Sequence, residues 1–284
     1  MPRRSETYAI IGAAGYIARR HVKVLHSLGA DVKAICDAHD NVGYIEGFFP
    51  GAEFLRSDEP FFKYVKDHKI SRVVVCTPNH LHFNHCVSAM VADADVVCEK
   101  PLVLSSASLF DLAKIEHDTK RNVYAILQLR PEGSKYTVRS APWAKMNYVA
   151  TRGKWYENSW KGQFDQSGGV LWNIGIHGFD LLCQLFGKPR SAAVESTHGN
   201  IIKGRIKFPK CTVQWTVGTD GAAERLIWGE DFCMNLTTTN PDAGHRRAYQ
   251  EIAAGVGNRV SSLQTVTELV ETLSDISRWN EDVA

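Results

Sequence analysis

Two sets of side chains in this chain of 284 residues could move a proton. Glu99-Lys100-Pro101 ends the apolar run Val96-Val97-Cys98, and the proline, which cannot donate to a ladder, marks where a strand stops. In an open parallel sheet the ligand crevice lies just outside the strands' carboxyl ends, so a lysine fixed there meets whatever binds. A lysine set against an apolar wall or beside another cation has a lowered pKa and can take a proton near neutrality. The hexapeptide alone fits a solvated charge pair equally well. The second set is Asn173, His177, Asp180 and Gln184, spaced four, three and four residues apart in the stretch from Val170 to Phe186. That stretch is apolar on nearly every other side, so it reads as a buried helix with one polar face. Buried polar groups need partners. These four either satisfy one another within a core or line a site opposite Lys100, and Gly168-Gly169 would let the backbone pass close to a ligand there.

The elements before Lys100 supply the rest of such a crevice. Thr7 to Ile11 is a short β-branched strand that runs into Gly12-Ala13-Ala14-Gly15-Tyr16-Ile17-Ala18 and then an amphipathic stretch to Leu28. Strand, small-residue turn and helix start aim the N–H groups of Gly12, Ala14, Gly15, Tyr16 and Ile17, and a positive dipole end, at a pyrophosphate. Ala14 and Ile17 stand where the dinucleotide fingerprint has its second and third glycines. Asp37 ends the next strand about twenty residues beyond the turn, where an acid holds the adenosine ribose hydroxyls and repels a 2′-phosphate. Ala38-His39-Asp40 offers no arginine for such a phosphate, so the pattern favours NAD over NADP. Strands at Arg72 to Cys76 and Asp95 to Glu99 alternate with a helix from about His80 to Val91, which specifies a doubly wound parallel sheet. Thr77-Pro78-Asn79-His80 follows a strand at the crevice edge that Lys100 shares, which puts Thr77 and Asn79 near a cofactor's ribose or diphosphate. His80, His82 and His85 have no acidic or cysteine partners beside them in sequence, so no metal is expected of them.

Val123 to Leu127 reads as a sixth strand that closes a first domain of residues 1–127. In residues 128–284 the pattern changes. Tyr148 to Arg152, Ser191 to Thr197, Ile201 to Phe208, Thr212 to Val217 and Arg225 to Trp228 read as strands, four of them joined by short connections, which predicts an α+β domain with a largely antiparallel sheet. Helical stretches from about His245 to Ala253 and Leu263 to Arg278 finish the chain. A hydrophobic content of 44% supports two proper cores, and a net charge of +2 implies neither a nucleic-acid nor a membrane partner. The 7 cysteines include no Cys-x-x-Cys pair and read as small buried hydrophobes in a reducing compartment, so a cytosolic location is expected.

Taken in order, Gly12 to Ala18, Asp37, Thr77 to His80, Glu99-Lys100-Pro101 and Gly169-x-x-x-Asn173-x-Gly175-x-His177-x-x-Asp180 resemble the Gfo/Idh/MocA sugar oxidoreductases over nearly the whole chain. The resemblance implies a Rossmann domain that binds NAD, with His82, Glu99 and Gln128 also at the cofactor. It implies that Lys100 and His177 flank the substrate carbon facing the nicotinamide, and either could be the base. Many members carry aspartate at the position of Asn173. Asparagine there is similar to one subgroup, the UDP-N-acetylglucosaminuronic acid 3-dehydrogenases of bacterial surface-sugar synthesis. That subgroup also resembles the chain in Ile126-Leu-Gln-Leu-Arg130, in Arg152-Gly-x-Trp155-Tyr156-x-x-Ser159-Trp160-Lys161-Gly162 and in His245-x-x-x-Tyr249-x-Glu-Ile-x-Ala-Gly255. A UDP-linked amino-uronic sugar is the implied substrate. Arg152, Lys154 and Lys161 would pair with its carboxylate and diphosphate, Trp155, Tyr156 and Trp160 would stack on uracil or sugar, and Asn173 and His245 would complete the site. A 2-oxo acid such as 2-oxoglutarate that reoxidises NADH in place, and a homo-oligomer, dimer or tetramer, are further implications. Residues 131 to 147 and the β-rich region look shorter than in such relatives. A sister enzyme acting on another sugar or cyclitol would keep Lys100 and His177 without the Arg/Trp/Lys loop, and a dinucleotide-sensing relative would tend to lose that pair.

Overall fold

The structure is a computed structural model that describes residues 6–130, 141–237, 240 and 242–283. Much of the 131–147 segment therefore lies outside the described residues. The chain opens with β1 (Thr7–Ile11), α1 (Ala18–Ser27), β2 (Asp31–Cys36), β3 (Glu53–Leu55), α2 (Asp58–Asp67) and β4 (Arg72–Val75). It continues with α3 (His82–Val91), β5 (Asp95–Cys98), α4 (Ser106–Thr119) and β6 (Val123–Ala125). Among the described residues these strands form a six-stranded parallel sheet ordered β3-β2-β1-β4-β5-β6. Val73, Val74, Val75, Val96 and Val97 are buried, as β-branched runs must be in a sheet covered on both faces. The strand order reverses between β1 and β4, and the crevice outside their carboxyl ends is where such a sheet takes a ligand.

The second sheet is ordered β12-β11-β7-β10-β9-β8, from β7 (Trp143–Val149), β8 (Ser191–His198), β9 (Ile201–Lys207), β10 (Thr212–Gly218), β11 (Glu224–Gly229) and β12 (Cys233–Asn235). Its pairs are antiparallel except β7 with β10. Along β9 the residues Ile202, Gly204 and Ile206 turn inward while Lys203, Arg205 and Lys207 face out, the period-two signature of a one-sided sheet. The strand expected over Tyr148 to Arg152 instead starts earlier and stops at Val149. α5 (Phe164–Ser167) precedes Gly168 and Gly169, at φ +77° and +75°, which force the chain to turn before a new helix begins. That helix starts as a π-helical turn, Leu171–Gly175, and continues as α6 (Ile176–Phe186), so it is not the single α-helix that the apolar run predicts. α7 (Ala243–Ala253) and α8 (Gln264–Val283) follow. Among the described residues no helix is long and apolar enough to cross a membrane.

A single cut after residue 127 does not divide the chain into its compact units. The first unit is Met1–Val103, Ala107–Gln128 and Asn240–Ser262, and the second is Leu104–Ser106, Leu129–Thr239 and Leu263–Ala284. The chain returns to the first unit because Ala248, Tyr249 and Ile252 of α7 pack into the core around Ile10, Val22, Leu25, Val74 and Val97.

Candidate active site

Gly12 follows β1 at φ +81°, and a Cβ there would lie 2.6 Å from the Cys76 carbonyl carbon, so only glycine fits. Ala14, Gly15 and Ile17 are half-buried, while Tyr16 is 79% exposed. α1 has Ile17 as its N-cap, with no side-chain cap and no acidic residue in its first turn, which leaves its N–H groups and dipole suited to an anion. Asp37 accepts the Ala14 N–H at 2.9 Å with one oxygen and the His39 N–H at 2.9 Å with the other. Each oxygen retains a second lone pair, so the carboxylate can still accept ribose hydroxyls. A turn with no room for a side chain, an uncapped helix start and an acid beside them fit a dinucleotide.

At the neighbouring crevice edge, the buried His82 ring places Nδ1 2.7 Å from the Pro101 carbonyl oxygen and Nε2 2.8 Å from that of Thr77. Both nitrogens are taken, so in place of the expected cofactor contact His82 is a strut between the turn after β4 and the turn after β5. Burial lowers its pKa against the pull of both carbonyls, and a neutral ring donates to one of them at a time. The Thr77 hydroxyl lies 2.9 Å from His85 Nδ1, and His85 Nε2 lies 2.9 Å from Asp58. Since a carboxylate only accepts, His85 Nε2 carries a hydrogen toward Asp58, and Nδ1 and the Thr77 hydroxyl share the remaining contact. Asn79 is buried in the turn Asn79–Leu81. The Gln128 carbonyl accepts from Arg247 Nη2 at 2.9 Å, with Gly244 packed too close to Gln128 for a side chain.

Lys100 is half-buried two residues past β5, and the carboxylate before it is buried in a hydrogen-bond network. Glu99, 6% exposed, accepts from His21 Nε2 and from His245 Nε2 on the same oxygen, each at 2.9 Å. Its other oxygen accepts the Lys100 backbone N–H at 3.2 Å, and the Tyr249 hydroxyl lies 2.7 Å from His21 Nδ1. Glu99 and His245, expected at cofactor and substrate, are thus buried partners of each other. Their ligating atoms and that of His21 lie within 4.8 Å of one another, a donor set that a divalent ion could also use, although hydrogen bonding accounts for it. His21 stands in none of the motifs of the sequence. The available signal is its place on the buried face of α1 with Ala18, Val22 and Leu25, where a polar residue needs a partner.

Burial raises the Glu99 pKa, but the hydrogen bonds from His21 and His245 outweigh it and hold the carboxyl well below its usual value. Burial lowers the His21 pKa from 6.5 despite the Glu99 bond. A buried neutral histidine takes up a proton on unfolding, so His21 contributes stability that is intact above pH 6.5 and lost as pH falls toward its folded pKa. The Glu99 contribution is intact above the usual carboxyl pKa of 4.5 and lost as pH falls through its depressed one. Thermal melts should therefore drop from pH 7 toward pH 5, with up to about 1.4 kcal/mol per pH unit from His21 alone. His21→Gln, which can donate but not titrate, should flatten that slope; an unchanged slope would mean that His21 does not titrate on unfolding.

In the second unit, Asn173 on the π-helical turn donates from Nδ2 to the Tyr156 hydroxyl at 2.8 Å. Burial raises the Tyr156 pKa against that bond and the Arg152 charge. Tyr156 is buried, so it anchors its loop to the helix rather than offering a face for stacking. Arg152, Lys154 and Trp155 are exposed, and Lys161 Nζ sits 3.8 Å over the half-buried Trp160 ring. His177, 7% exposed, is the second residue of α6 and lies 6.3 Å from Tyr148, ring to ring. The rest of the expected stripe divides: Asp180 is bound by Arg130, and Gln184 is exposed.

Family models described as "Oxidoreductase family, NAD-binding Rossmann fold" and "Oxidoreductase family, C-terminal alpha/beta domain" match residues 7–126 and 143–260. The solved WlbA (WbpB) dehydrogenase from Thermus thermophilus, in complex with NAD and UDP-GlcNAcA, is 31% identical with a TM-score of 0.87, over 95% of this chain and 94% of that one. Its complex with NAD and alpha-ketoglutarate gives 30% and 0.88 over the same shares. The scyllo-inositol 2-dehydrogenase (NADP(+)) IolW of Bacillus subtilis is 26% identical over 155 residues, 50% of this chain and 41% of that relative. The chain thus spans less than half the length of that curated relative. Matched by both models across most of its length, the chain belongs to the Gfo/Idh/MocA oxidoreductase family, and its first domain is that family's NAD-binding Rossmann fold.

Proposed function

We propose that this protein is an NAD-dependent dehydrogenase that oxidises the C3′ hydroxyl of a UDP-linked N-acetylated glucuronic acid. The observation that carries the reading is the hydrogen bond from Asn173 to Tyr156, which ties the loop bearing Arg152, Lys154 and Lys161 to the π-helical turn that leads into the helix holding His177. A uronate needs a cation in a partly dry pocket, where losing one charged partner costs about 2–5 kcal/mol of binding; Arg152, Lys154 and Lys161 are the candidates. The amide of Asn173 can donate and accept without adding a second negative charge beside the uronate. Trp155 and Trp160 offer faces for uracil or sugar. The Thermus thermophilus relative at 31% identity, solved with NAD and UDP-GlcNAcA, supports the same substrate class.

Gly12 to Ile17 and Asp37 hold the dinucleotide, with Thr77 and Asn79 at the crevice edge. The chemistry that NAD supplies when bound is acceptance of a hydride. Lys100 and His177 orient the substrate hydroxyl, and one of them takes its proton. A 2-oxo acid such as 2-oxoglutarate as second substrate, a homo-oligomeric state, a cytosolic location and a place in surface-polysaccharide sugar synthesis go with this reading.

The test incubates the protein with NAD, 2-oxoglutarate and each of UDP-N-acetylglucosaminuronate, UDP-glucuronate, UDP-N-acetylglucosamine and myo-inositol, and follows 3-keto product by mass. The first should be turned over best and the neutral UDP-sugar poorly. A preference for myo-inositol would move the protein to the cyclitol branch, toward which the IolW similarity points. No turnover of any of them despite tight NAD binding would indicate a sensor.

A further inference from the structure

We infer that His21 and His245 are positioning residues for Lys100, acting through Glu99. The inference rests on Lys100 taking part in the proton transfer proposed above. Both histidines donate to one oxygen of Glu99, and the other oxygen accepts the N–H of Lys100, so the carboxylate fixes the main chain from which the lysine springs. Glu99 sets the sense of the network. Its carboxylate only accepts, so the neutral His21 ring carries its hydrogen on Nε2, and Nδ1 then accepts from the Tyr249 hydroxyl, which holds the ring in that tautomer. Three segments distant in sequence, α1, the end of β5 and α7, therefore meet at the residue before Lys100.

Simple attachment of α7 to the core does not explain the arrangement, because Ala248 and Ile252 already pack there. A buried carboxylate is a costly way to join elements, and apolar groups of similar volume often serve as well or better. Such a group kept beside a crevice lysine points to a need for a fixed main chain, since a displacement of an ångström at a reacting group can cost a large factor in rate.

The test compares His245→Phe, His245→Gln and Tyr249→Phe with the unaltered chain, each with NAD bound. Trace acetylation read by peptide mass spectrometry reports Lys100 directly and does not depend on which sugar is the substrate. In His245→Phe the Lys100 labelling rate should change at least about threefold while that of the exposed Lys63 holds, and kcat should fall at least about tenfold with the KM for NAD within about twofold. His245→Gln keeps an N–H donor and should recover to within about threefold of the parent. Tyr249→Phe, a single-atom change, should move labelling and kcat in the same direction by a smaller factor, and it decides the matter if His245→Phe does not fold. Variants that melt earlier yet label Lys100 and turn over as the parent does, per folded molecule, would overturn the inference. Lys100→Met with full turnover would instead remove the lysine from the mechanism, a separate failure that the labelling result would survive.

Discussion

Lys100→Met and His177→Asn should each lower turnover at least about a hundredfold while leaving NAD affinity within about twofold. Methionine keeps the length and apolar stem of lysine but can neither give nor take a proton. Asparagine keeps a polar group near the place of the imidazole and does not titrate near neutrality. Neither residue belongs to the turn from Gly12 to Ile17 or to the Asp37 contact that closes on it, so the grip on the dinucleotide should persist. Binding is read by fluorescence quenching on NAD titration, and turnover by 3-keto product from UDP-N-acetylglucosaminuronate. Near-normal turnover in one variant would remove that residue from the proton path. Equal losses in both single variants and in the double variant would mean that the two act as one unit.

The first sheet was legible because its strands are buried on both faces and are ended by residues of fixed use: glycine after β1, aspartate after β2 and the Glu-Lys-Pro sequence after β5. Covered parallel strands read as continuous apolar runs, and each run ends where a crevice residue is needed. The return of α7 to the first unit was not legible. Its amphipathic pattern shows that one face is apolar without showing which core that face meets, and its ring partner Tyr8, 6.2 Å from Tyr249 between centroids, lies far off in sequence. The role of Glu99 was hidden for the same reason. Adjacency to Lys100 suggested a contact with ligand, but the histidines that make it a buried acceptor are 78 and 146 residues away. His85 likewise looked like part of a local histidine group, until Asp58, 27 residues earlier, supplied its partner. The polar stripe divides for a reason its spacing does not carry. Asp180 is taken by Arg130, 50 residues earlier in sequence, and Gln184 is exposed near the end of α6, while Asn173 lies on the π-helical turn before it.

Asp180 should prove a structural member of that stripe, and removing its charge should be among the most destabilising single changes in the second unit. Arg130 grips it with two parallel bonds, Nε to one carboxylate oxygen at 2.8 Å and Nη2 to the other at 2.6 Å. The two side chains are only 12% and 3% exposed. An ion pair so far from water gains little over apolar contact while intact, but losing one partner strands the other charge, at about 3–5 kcal/mol. Asp180→Ala should therefore lower the melting temperature by the order of 10 °C. Asp180→Asn should be nearly as harmful, because the amide keeps an acceptor but leaves the guanidinium without a counter-charge. The paired change Arg130→Met with Asp180→Leu should recover most of the loss, since no charge is then left buried. Asp180 lies within one turn of His177 on α6, so the pair also holds the helix that carries the proposed base. If the pair only stabilises, the apolar double variant should turn over like the parent once folded. If it also orients His177, that variant should melt normally yet lose kcat. A melting temperature in Asp180→Ala within a degree or two of the parent would show that the carboxylate is dispensable and that α6 is held by its apolar faces alone.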